Sequence, residues 1–217
     1  MTSPTPHSAS LTWITPNAER VVIECARVSS DPSVAHKPDE DLLRYLLVKE
    51  HWSPFEMVNI CFDVYTTRDI GRQILRHWTI RPQEFSQRYQ DISVMAKNPI
   101  LRECRMQHAK NRQASVKNDD LDLAGWWMES QQEVWDKAFE VYQEALGAGI
   151  AKEVARTVLP EGMTPTRMYL NAPLRSVIHF CRLRHVDRGA QQEVHDIAQH
   201  MRLIVAQHMP TIAAAAF

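Results

Sequence analysis

The sequence predicts an α+β fold that is mainly helical and contains a small antiparallel β-sheet. Apolar residues recur every three to four positions over much of the 217-residue chain, as they do on the buried face of a helix. One stretch, at residues 57–67, instead alternates apolar and polar residues, which indicates a half-buried strand. No internal repeat and no flexible linker divides the chain, so we expect a single domain over residues 1–217.

The first half of the chain is predicted to form two helices, the strand and a third helix. The first helix follows Pro16 and Asn17 and the second follows Pro38, because these residue types favour helix starts. The strand comes next and is followed by the third helix, which carries Arg68. An irregular segment then runs to about residue 96. The residues predicted to face the core are Val21, Val22, Cys25 and Ala26, then Leu42, Leu43, Leu46 and Leu47, and in the strand Val58, Ile60, Phe62 and Val64.

The second half is predicted to contain four helices. A long helix from about Leu121 to Leu146 has a broad apolar face, which is typical of a core or a subunit interface. A shorter helix ends at Pro160, and another covers residues 174–184. The last helix points Val194, Ile197, Ala198, Met201 and Val205 inward. The N-terminal end, about residues 1–12, is expected to be a flexible tail, and residues 210–217 are expected to be either a flexible tail or a docking segment.

Composition and charge exclude several classes of protein. Lys and Arg total 25 against 26 Asp and Glu, so the broad basic surface that nucleic acid or a membrane requires is missing. No secretory signal and no long apolar run is visible. The four cysteines are scattered without zinc-like spacing, and Cys61 and Cys181 fit buried free thiols. We therefore expect a cytoplasmic protein with no metal, no nucleic-acid partner and no membrane contact.

The strongest functional signal is an arginine-rich stretch between residues 68 and 89. Arg68, Arg72 and Arg76 recur every four residues, so a helix would stack them on one face, where like charges repel. Guanidinium groups hold phosphates and carboxylates by paired hydrogen bonds. The pattern therefore predicts an anion site, and most simply a site for a small nucleotide.

A second arginine group follows between residues 175 and 188. Arg182 and Arg188 fit a solvated helix face, whereas Arg175 and Arg184 lie among core-type residues. Arg156 raises the same question in the preceding helix. An arginine among apolar neighbours is costly unless it is paired, so each of these three either meets a carboxylate of the chain or serves a ligand.

These segments together resemble one family, the flavin-dependent thymidylate synthases (ThyX family), from about Asn17 to Ala198. The family signature RHRxxSxNExSxRY stands here as RHWTIRPQEFSQRY, from Arg76 to Tyr89. Each element is weak alone, but their shared order is strong evidence of homology. The other matched elements are HxSPFE at 51–56, ARxxLP at 155–160, RSxxHFxxLR at 175–184 and AQxE at 190–193.

The resemblance implies a ThyX-like fold and a homotetramer whose active sites are assembled from several subunits. Each site would hold FAD, dUMP and methylenetetrahydrofolate, with NADPH reducing the flavin. The dUMP residues carried over by position are Gln73, Arg76, Ser86, Gln87, Arg88, Arg156 and Arg184. The FAD residues are Ser53, Arg76, His77, Trp78, Glu84, Arg175 and His179. Arg184 and Ser86 are the catalytic candidates.

The chemistry of the residues agrees with this resemblance. Uracil C5 is a poor nucleophile, and the sequence offers no evident cysteine to activate it, so a reduced flavin is a credible substitute. An arginine cannot act as a general base, so Arg184 is expected to stabilise negative charge on the uracil. Ser86 lacks an adjacent base, so we expect its hydroxyl to act as a hydrogen-bonding group rather than as a nucleophile.

The chain also departs from the family pattern on the flavin and folate side. Trp78 stands where the signature has Arg, Arg81 where it has Ser, and Gln83 where it has Asn. Pro173 replaces an Asn that commonly lies two residues before Arg175. These changes leave open a 5-hydroxymethylase acting on dUMP or dCMP, or drift within the family. A further alternative, in another class, is a non-catalytic helical protein that binds nucleotide or single-stranded nucleic acid through its arginines.

Overall fold

The computed structural model describes residues 5–28, 36–95 and 97–217. Its four-stranded antiparallel sheet has the order β1 (Ser8–Ile14), β2 (Asn59–Thr67), β6 (Pro165–Pro173) and β3 (Arg81–Glu84). A separate hairpin joins β4 (Arg105–Gln107) to β5 (Ser115–Lys117).

Helices make up most of the rest and confirm the predicted α+β class. None of the helices in the described ranges is long and apolar enough to cross a membrane. The helices are α1 (Ala18–Arg27), α2 (Asp39–Val48), α3 (Arg68–Leu75), α4 (Leu121–Gly147), α5 (Lys152–Ala155), α6 (Leu174–Leu183), α7 (Gln192–His208) and α8 (Pro210–Ala216).

The main core lies between one face of the sheet and the helices. Alternate residues of β2 and β6, such as Phe62 and its partner Leu170, are almost completely buried there. The inward leucines predicted for α2 and the inward residues predicted for α7 are all buried. In α1 the assignment is half right, because Val22 and Ala26 are buried while Val21 and Cys25 are partly exposed.

In the residues that the structure describes, the N-terminal end is part of the sheet and not a flexible tail, and the C-terminal end is a docking segment. Ser8–Ile14 forms β1, which pairs with β2 along its length, and α8 buries Ile212 completely against the core. The Glu19 carboxylate accepts a hydrogen bond from the Ile212 backbone N–H at 2.9 Å. Tertiary pairing supplies the stability that the polar and alanine-rich ends lack locally. Residues 1–4 lie outside the described part.

The segment predicted to be irregular up to about residue 96 contains β3. Its sequence, RPQE, has no strand-forming alternation, and Pro82 cannot donate a backbone hydrogen bond. Proline is tolerated at the edge of a sheet, which is where β3 lies, beside β6. The pairing with β6 therefore decides the conformation, and position 96 itself is outside the described residues.

Candidate active site

A cleft of about 880 Å³, called the large cleft below, forms where four segments of the chain meet. Its volume suits a ligand the size of an organic cofactor. Two tryptophans and four arginines contribute to its wall. The lining comprises Glu50, Trp52, Glu56 and Asn59, then Arg76, His77, Trp78, Thr79 and Arg81, then Asn171 and Pro173, and finally Arg175, Ser176, His179 and Arg182.

Arg184 and His77 form the junction between α6 and α3 beside this cleft. The Arg184 guanidinium lies 3.1 Å (Nε) and 3.0 Å (Nη2) from His77 Nε2, and Nη2 also donates to the Gln73 carbonyl at 3.2 Å. Burial, then Arg184, His179 and Arg76, lower the pKa of His77 to about 4. Because arginine can only donate, His77 is the neutral acceptor that orients Arg184.

The electrostatic setting of Arg184 favours binding of an anion. Burial and the neighbouring Arg76 lower the pKa of Arg184 from its ordinary value, although an arginine remains charged at neutral pH. In the described residues, neither guanidinium has a carboxylate partner. Two cations held close together without a counter-ion lose repulsion energy when an anion binds between them.

Arg175 is paired rather than buried. Its Nη1 donates to Glu56 at 2.9 Å, and half of its side chain is exposed. The expectation that it sits in the core is therefore wrong, whereas the pairing with a carboxylate is confirmed. Glu56 belongs to the HxSPFE element, so this ion pair joins two of the matched elements across the cleft. His179, one helical turn after Arg175, also lines the cleft.

Arg182 was expected on a solvated face, but it contributes to the cleft wall. Its Nε donates to the Ala216 carbonyl at 2.9 Å, and its guanidinium carbon lies 5.6 Å from the centre of the Trp52 ring. This distance is within the range of a cation–π contact. The side chain therefore links α8 to the wall of the large cleft.

Most of the other predicted dUMP residues lie away from the large cleft. A smaller one, of about 200 Å³, is lined by Arg68, Arg72, Gln87, Arg156, Thr157, Leu159, Glu161 and Thr164. Gln87 is almost fully buried, and its side-chain Nε2 has no hydrogen-bond partner. A buried donor without an acceptor is costly, so this amide is set up for an acceptor group of a ligand.

The arginine face of α3 is partly neutralised within the chain, which the sequence did not predict. Arg68 Nη1 lies 3.3 Å from Glu84 Oε1, and Arg72 is ion-paired with Glu161. Arg76, at the end of the same helix, has no ion pair to a described carboxylate. The repulsion predicted along the helix is therefore relieved by protein carboxylates for the first two arginines.

The remaining predicted site residues line neither of the two clefts. Glu84 accepts from Thr166 at 2.7 Å and from Arg68, on the side of β3 away from the large cleft. Ser53 is exposed at the start of a short 3₁₀ helix beside Trp52. Gln73 donates to Gln191 at 2.7 Å. Arg88 is exposed and pairs with Glu153 at 3.1 Å.

No group in the described part of the chain activates Ser86 or Cys181 as a nucleophile. The Ser86 hydroxyl accepts a long 3.4 Å hydrogen bond from the Arg88 backbone, and no base lies within hydrogen-bond distance. Cys181, the cysteine in the arginine-rich helix, is completely buried, and burial raises its pKa to about 12. A thiol with that pKa is protonated at neutral pH and is not nucleophilic.

Sequence reasoning missed an ion-pair network behind the site. Glu193 is 4% exposed and is paired with Arg102 at 3.1 Å and with Arg105. Arg102 also contacts Asp69 of α3 at 2.8 Å, so the network ties α7 to α3. Despite the effect of burial, these two arginines lower the pKa of Glu193 to about 2. The available signal was Glu193 itself, a carboxylate beside the buried Val194 in the AQxE element.

Comparison with known proteins places this site in a family. A family model described as thymidylate synthase complementing protein matches residues 10–211. A flavin-dependent thymidylate synthase from Synechocystis sp. is 42% identical over 197 residues, which cover 91% of this chain and 88% of the relative. A probable flavin-dependent thymidylate synthase from Paramecium bursaria Chlorella virus 1 is 38% identical over 199 residues, covering 91% and 90%.

The solved structures agree. The UMP/dUMP methylase PolB from Streptomyces cacaoi, crystallised with 5-Br UMP and with 5-Br dUMP, superimposes with a TM-score of 0.80 at 28% identity. In the complex with 5-Br UMP the match covers 96% of this chain and 92% of PolB. Fold, motifs and relatives thus define a methyl-transferring enzyme. The chain belongs to the flavin-dependent thymidylate synthase family.

Proposed function

We propose that this chain transfers a one-carbon unit from methylenetetrahydrofolate to C5 of dUMP, using FAD that NADPH reduces. The observation that carries the proposal is the junction of Arg76, His77 and Arg184. It places two cations that have no carboxylate partner among the described residues next to a cleft large enough for a dinucleotide. Cys181, the cysteine in the neighbouring helix, is not a usable nucleophile. The named activity of the relatives supports the same conclusion.

The large cleft fits a flavin dinucleotide. Trp52 and Trp78 offer aromatic faces on which a planar ring can stack, and the arginines suit an anionic diphosphate. The buried Asn171 Oδ1, also in the lining, has no hydrogen-bond partner in the structure, so a ligand N–H can satisfy it. His77, Trp78, Arg175 and His179 would hold the cofactor, which supplies the hydride for the one-carbon unit.

The small cleft suits the nucleotide phosphate. Arg156 is half-buried and has no ion pair to a described carboxylate. The Gln87 amide, which has no hydrogen-bond partner, could donate to the same phosphate. Arg88 and Ser86 lie on the segment that follows Gln87 and would complete the contact. Gln73, Arg76 and Arg184 would bind the rest of dUMP from the side of the large cleft.

Arg184 acts as an electrostatic catalyst in this proposal. Electron density rises on the uracil ring when C5 attacks the one-carbon unit, and a guanidinium aimed at the ring oxygens stabilises that charge. The neutral His77 keeps Arg184 in place without adding another cation. Ser86 contributes a hydroxyl hydrogen bond and not a covalent bond, because it has no base.

A homotetramer with shared sites, which the resemblance implies, would bring both groups of residues to one dUMP. Arg76 and Arg184 adjoin the large cleft, whereas Gln87 and Arg156 line the small one, and the two clefts have no lining residue in common. A single dUMP can touch both groups if the large cleft of one subunit faces the small cleft of another. A cytoplasmic location stays a prediction of the sequence.

The test is incubation of the purified protein with FAD, dUMP, methylenetetrahydrofolate and NADPH, followed by mass spectrometry of the nucleotide. We expect dTMP to form, and its formation to require all four additions. Protein that binds no FAD, or that leaves dUMP unchanged in the complete mixture, contradicts the proposal. Binding of oligonucleotides in place of dUMP would favour the non-catalytic alternative.

A hydroxymethylase is the second candidate, because three departures from the family pattern line the large cleft. Trp78, Arg81 and Pro173 all contribute to its wall. A cleft that admits water to the bound one-carbon unit would release a hydroxymethyl product instead of a methyl one. The same mass measurement distinguishes the two products, since the hydroxymethyl nucleotide is heavier than the methyl nucleotide by one oxygen atom. Parallel incubations with dUMP and dCMP identify the base that is modified.

A further inference from the structure

Two of the departures from the family signature are linked in the structure. Position 78 has lost the arginine that the signature carries, and position 81 has gained one. The Arg81 Nη1 donates to the Trp78 carbonyl at 3.3 Å, and both side chains line the large cleft. The positive charge is therefore kept in the same cleft but supplied by a residue three positions later.

The strand β3 fixes the direction of Arg81. In the pairing of β3 with β6, Arg81 lies opposite Asn171, and the two share one face of the sheet. Its neighbour Pro82 lies opposite the buried Leu170, on the other face. The alternation of the strand thus points Arg81 towards the cleft that Asn171 lines.

Arg81 is also available for a ligand. Its side chain is exposed and forms no ion pair with a carboxylate in the described ranges. Of the two acidic residues that line the cleft, Glu56 is already paired with Arg175. Trp78 is 77% exposed, so its ring is equally free to contact a ligand.

We propose that Arg81 is the phosphate-binding cation of the large cleft, taking over the positive charge that Trp78 removes from the signature. Its ligand is the diphosphate of the flavin dinucleotide, and Trp78 offers a ring face in exchange. This inference rests on the proposed function, because it needs a flavin dinucleotide in this cleft. Guanidinium groups bind phosphate oxygens by charge-assisted hydrogen bonds, which salt weakens at an exposed position.

The first test compares FAD with riboflavin, which has the same ring system and no phosphate. For Arg81→Ser we expect the Kd for FAD to rise about 10-fold at low salt, as for loss of one charge-assisted hydrogen bond. The Kd for riboflavin should stay within about 2-fold of the wild-type value, since no phosphate contact is lost. Arg44→Ser, at an exposed position outside both clefts, makes the same change in net charge and should leave both Kd values unchanged.

The second test restores the signature. The double variant Trp78→Arg, Arg81→Ser should bind FAD more tightly than Arg81→Ser alone, because the charge returns to its signature position. Arg81→Lys keeps the charge without the planar fork and should fall between wild type and Arg81→Ser. Thermal unfolding of each variant shows whether it is folded. If Arg81→Ser does not fold, the FAD affinity of Arg81→Lys is compared with that of wild type instead.

The results separate the inference from the proposed function. Wild-type protein that binds no FAD overturns both. Wild-type protein that binds FAD, together with an Arg81→Ser variant of equal affinity, overturns the inference alone. A loss for riboflavin equal to the loss for FAD also overturns it, because the effect would then lie in the shape of the cleft and not in the phosphate contact.

Discussion

At the scale of single residues, the site depends on which groups are neutral and which stay charged. Arg184 is held by the His77 ring and the Gln73 carbonyl, neither of which carries a negative charge. Its positive charge is therefore not consumed within the chain and can act on a substrate. A carboxylate partner would have positioned it as well, but it would have weakened the attraction for an anion.

Arg184→Lys tests that role. Lysine keeps the charge but cannot contact His77 and the uracil edge with one planar group. We expect turnover to fall about 100-fold or more, the size of the loss when an oxyanion donor is removed. Steady-state kinetics together with a dUMP Kd make the measurement. Turnover close to that of wild type would show that Arg184 has a different role.

His7 should make stability depend on pH. Burial, then Arg102, lowers its pKa from 6.5 to about 4, so between these values the unfolded state binds more protons than the folded state. The free energy of unfolding should therefore decrease as the pH falls from about 6.5 to about 4. His7→Asn should reduce this slope by up to about 1.4 kcal/mol per pH unit in urea titrations.

Asparagine suits this substitution because the backbone at His7 has a φ of 53°, which Asn tolerates. His208→Asn, at an exposed position, provides the matched control. If the pH dependence of the free energy of unfolding is the same in His7→Asn as in wild type, the lowered pKa of His7 is contradicted. His77, whose pKa is also lowered to about 4, would still contribute in the same direction.

At the scale of elements, the sequence predicts the helices with a clear apolar periodicity but not the short strand β3. The inward sets of α2 and α7 follow from helical spacing, because each helix buries one stripe and exposes the other. For β3 the sequence offers no such pattern, and its partner β6 lies more than eighty residues later. The Glu193 pairs are equally non-local, since Arg105 is distant in sequence.

Ile212→Ala tests whether α8 is part of the core or a tail. The side chain is completely buried, so its truncation should lower the free energy of unfolding by about 2–5 kcal/mol. Ile150→Ala, at a position that is 45% exposed, should cost less than about 1 kcal/mol. Denaturant unfolding of both variants makes the comparison. Equal, small effects would mean that α8 does not pack as described.

At the scale of the whole molecule, the proposal of shared sites makes a prediction about assembly. If each site combines Arg184 of one subunit with Arg156 of another, Arg184→Ala and Arg156→Ala homotetramers should both be inactive. Random mixed tetramers should regain up to about a quarter of wild-type activity, because some sites then receive both wild-type arginines. Mixing after mild dissociation, followed by the dTMP assay, makes the measurement. No recovery in verified mixed tetramers would place both residues in the site of one subunit.

The sequence by itself determined the family, the helical framework and the set of candidate arginines, because short motifs and helical periodicity are local properties of the chain. Tertiary structure decided which charges remain available. Arg68 and Arg72 meet Glu84 and Glu161, whereas Arg76 and Arg184 lack a described carboxylate partner. Whether an arginine is neutralised depends on side chains within a few ångströms, and folding brings those from distant parts of the chain.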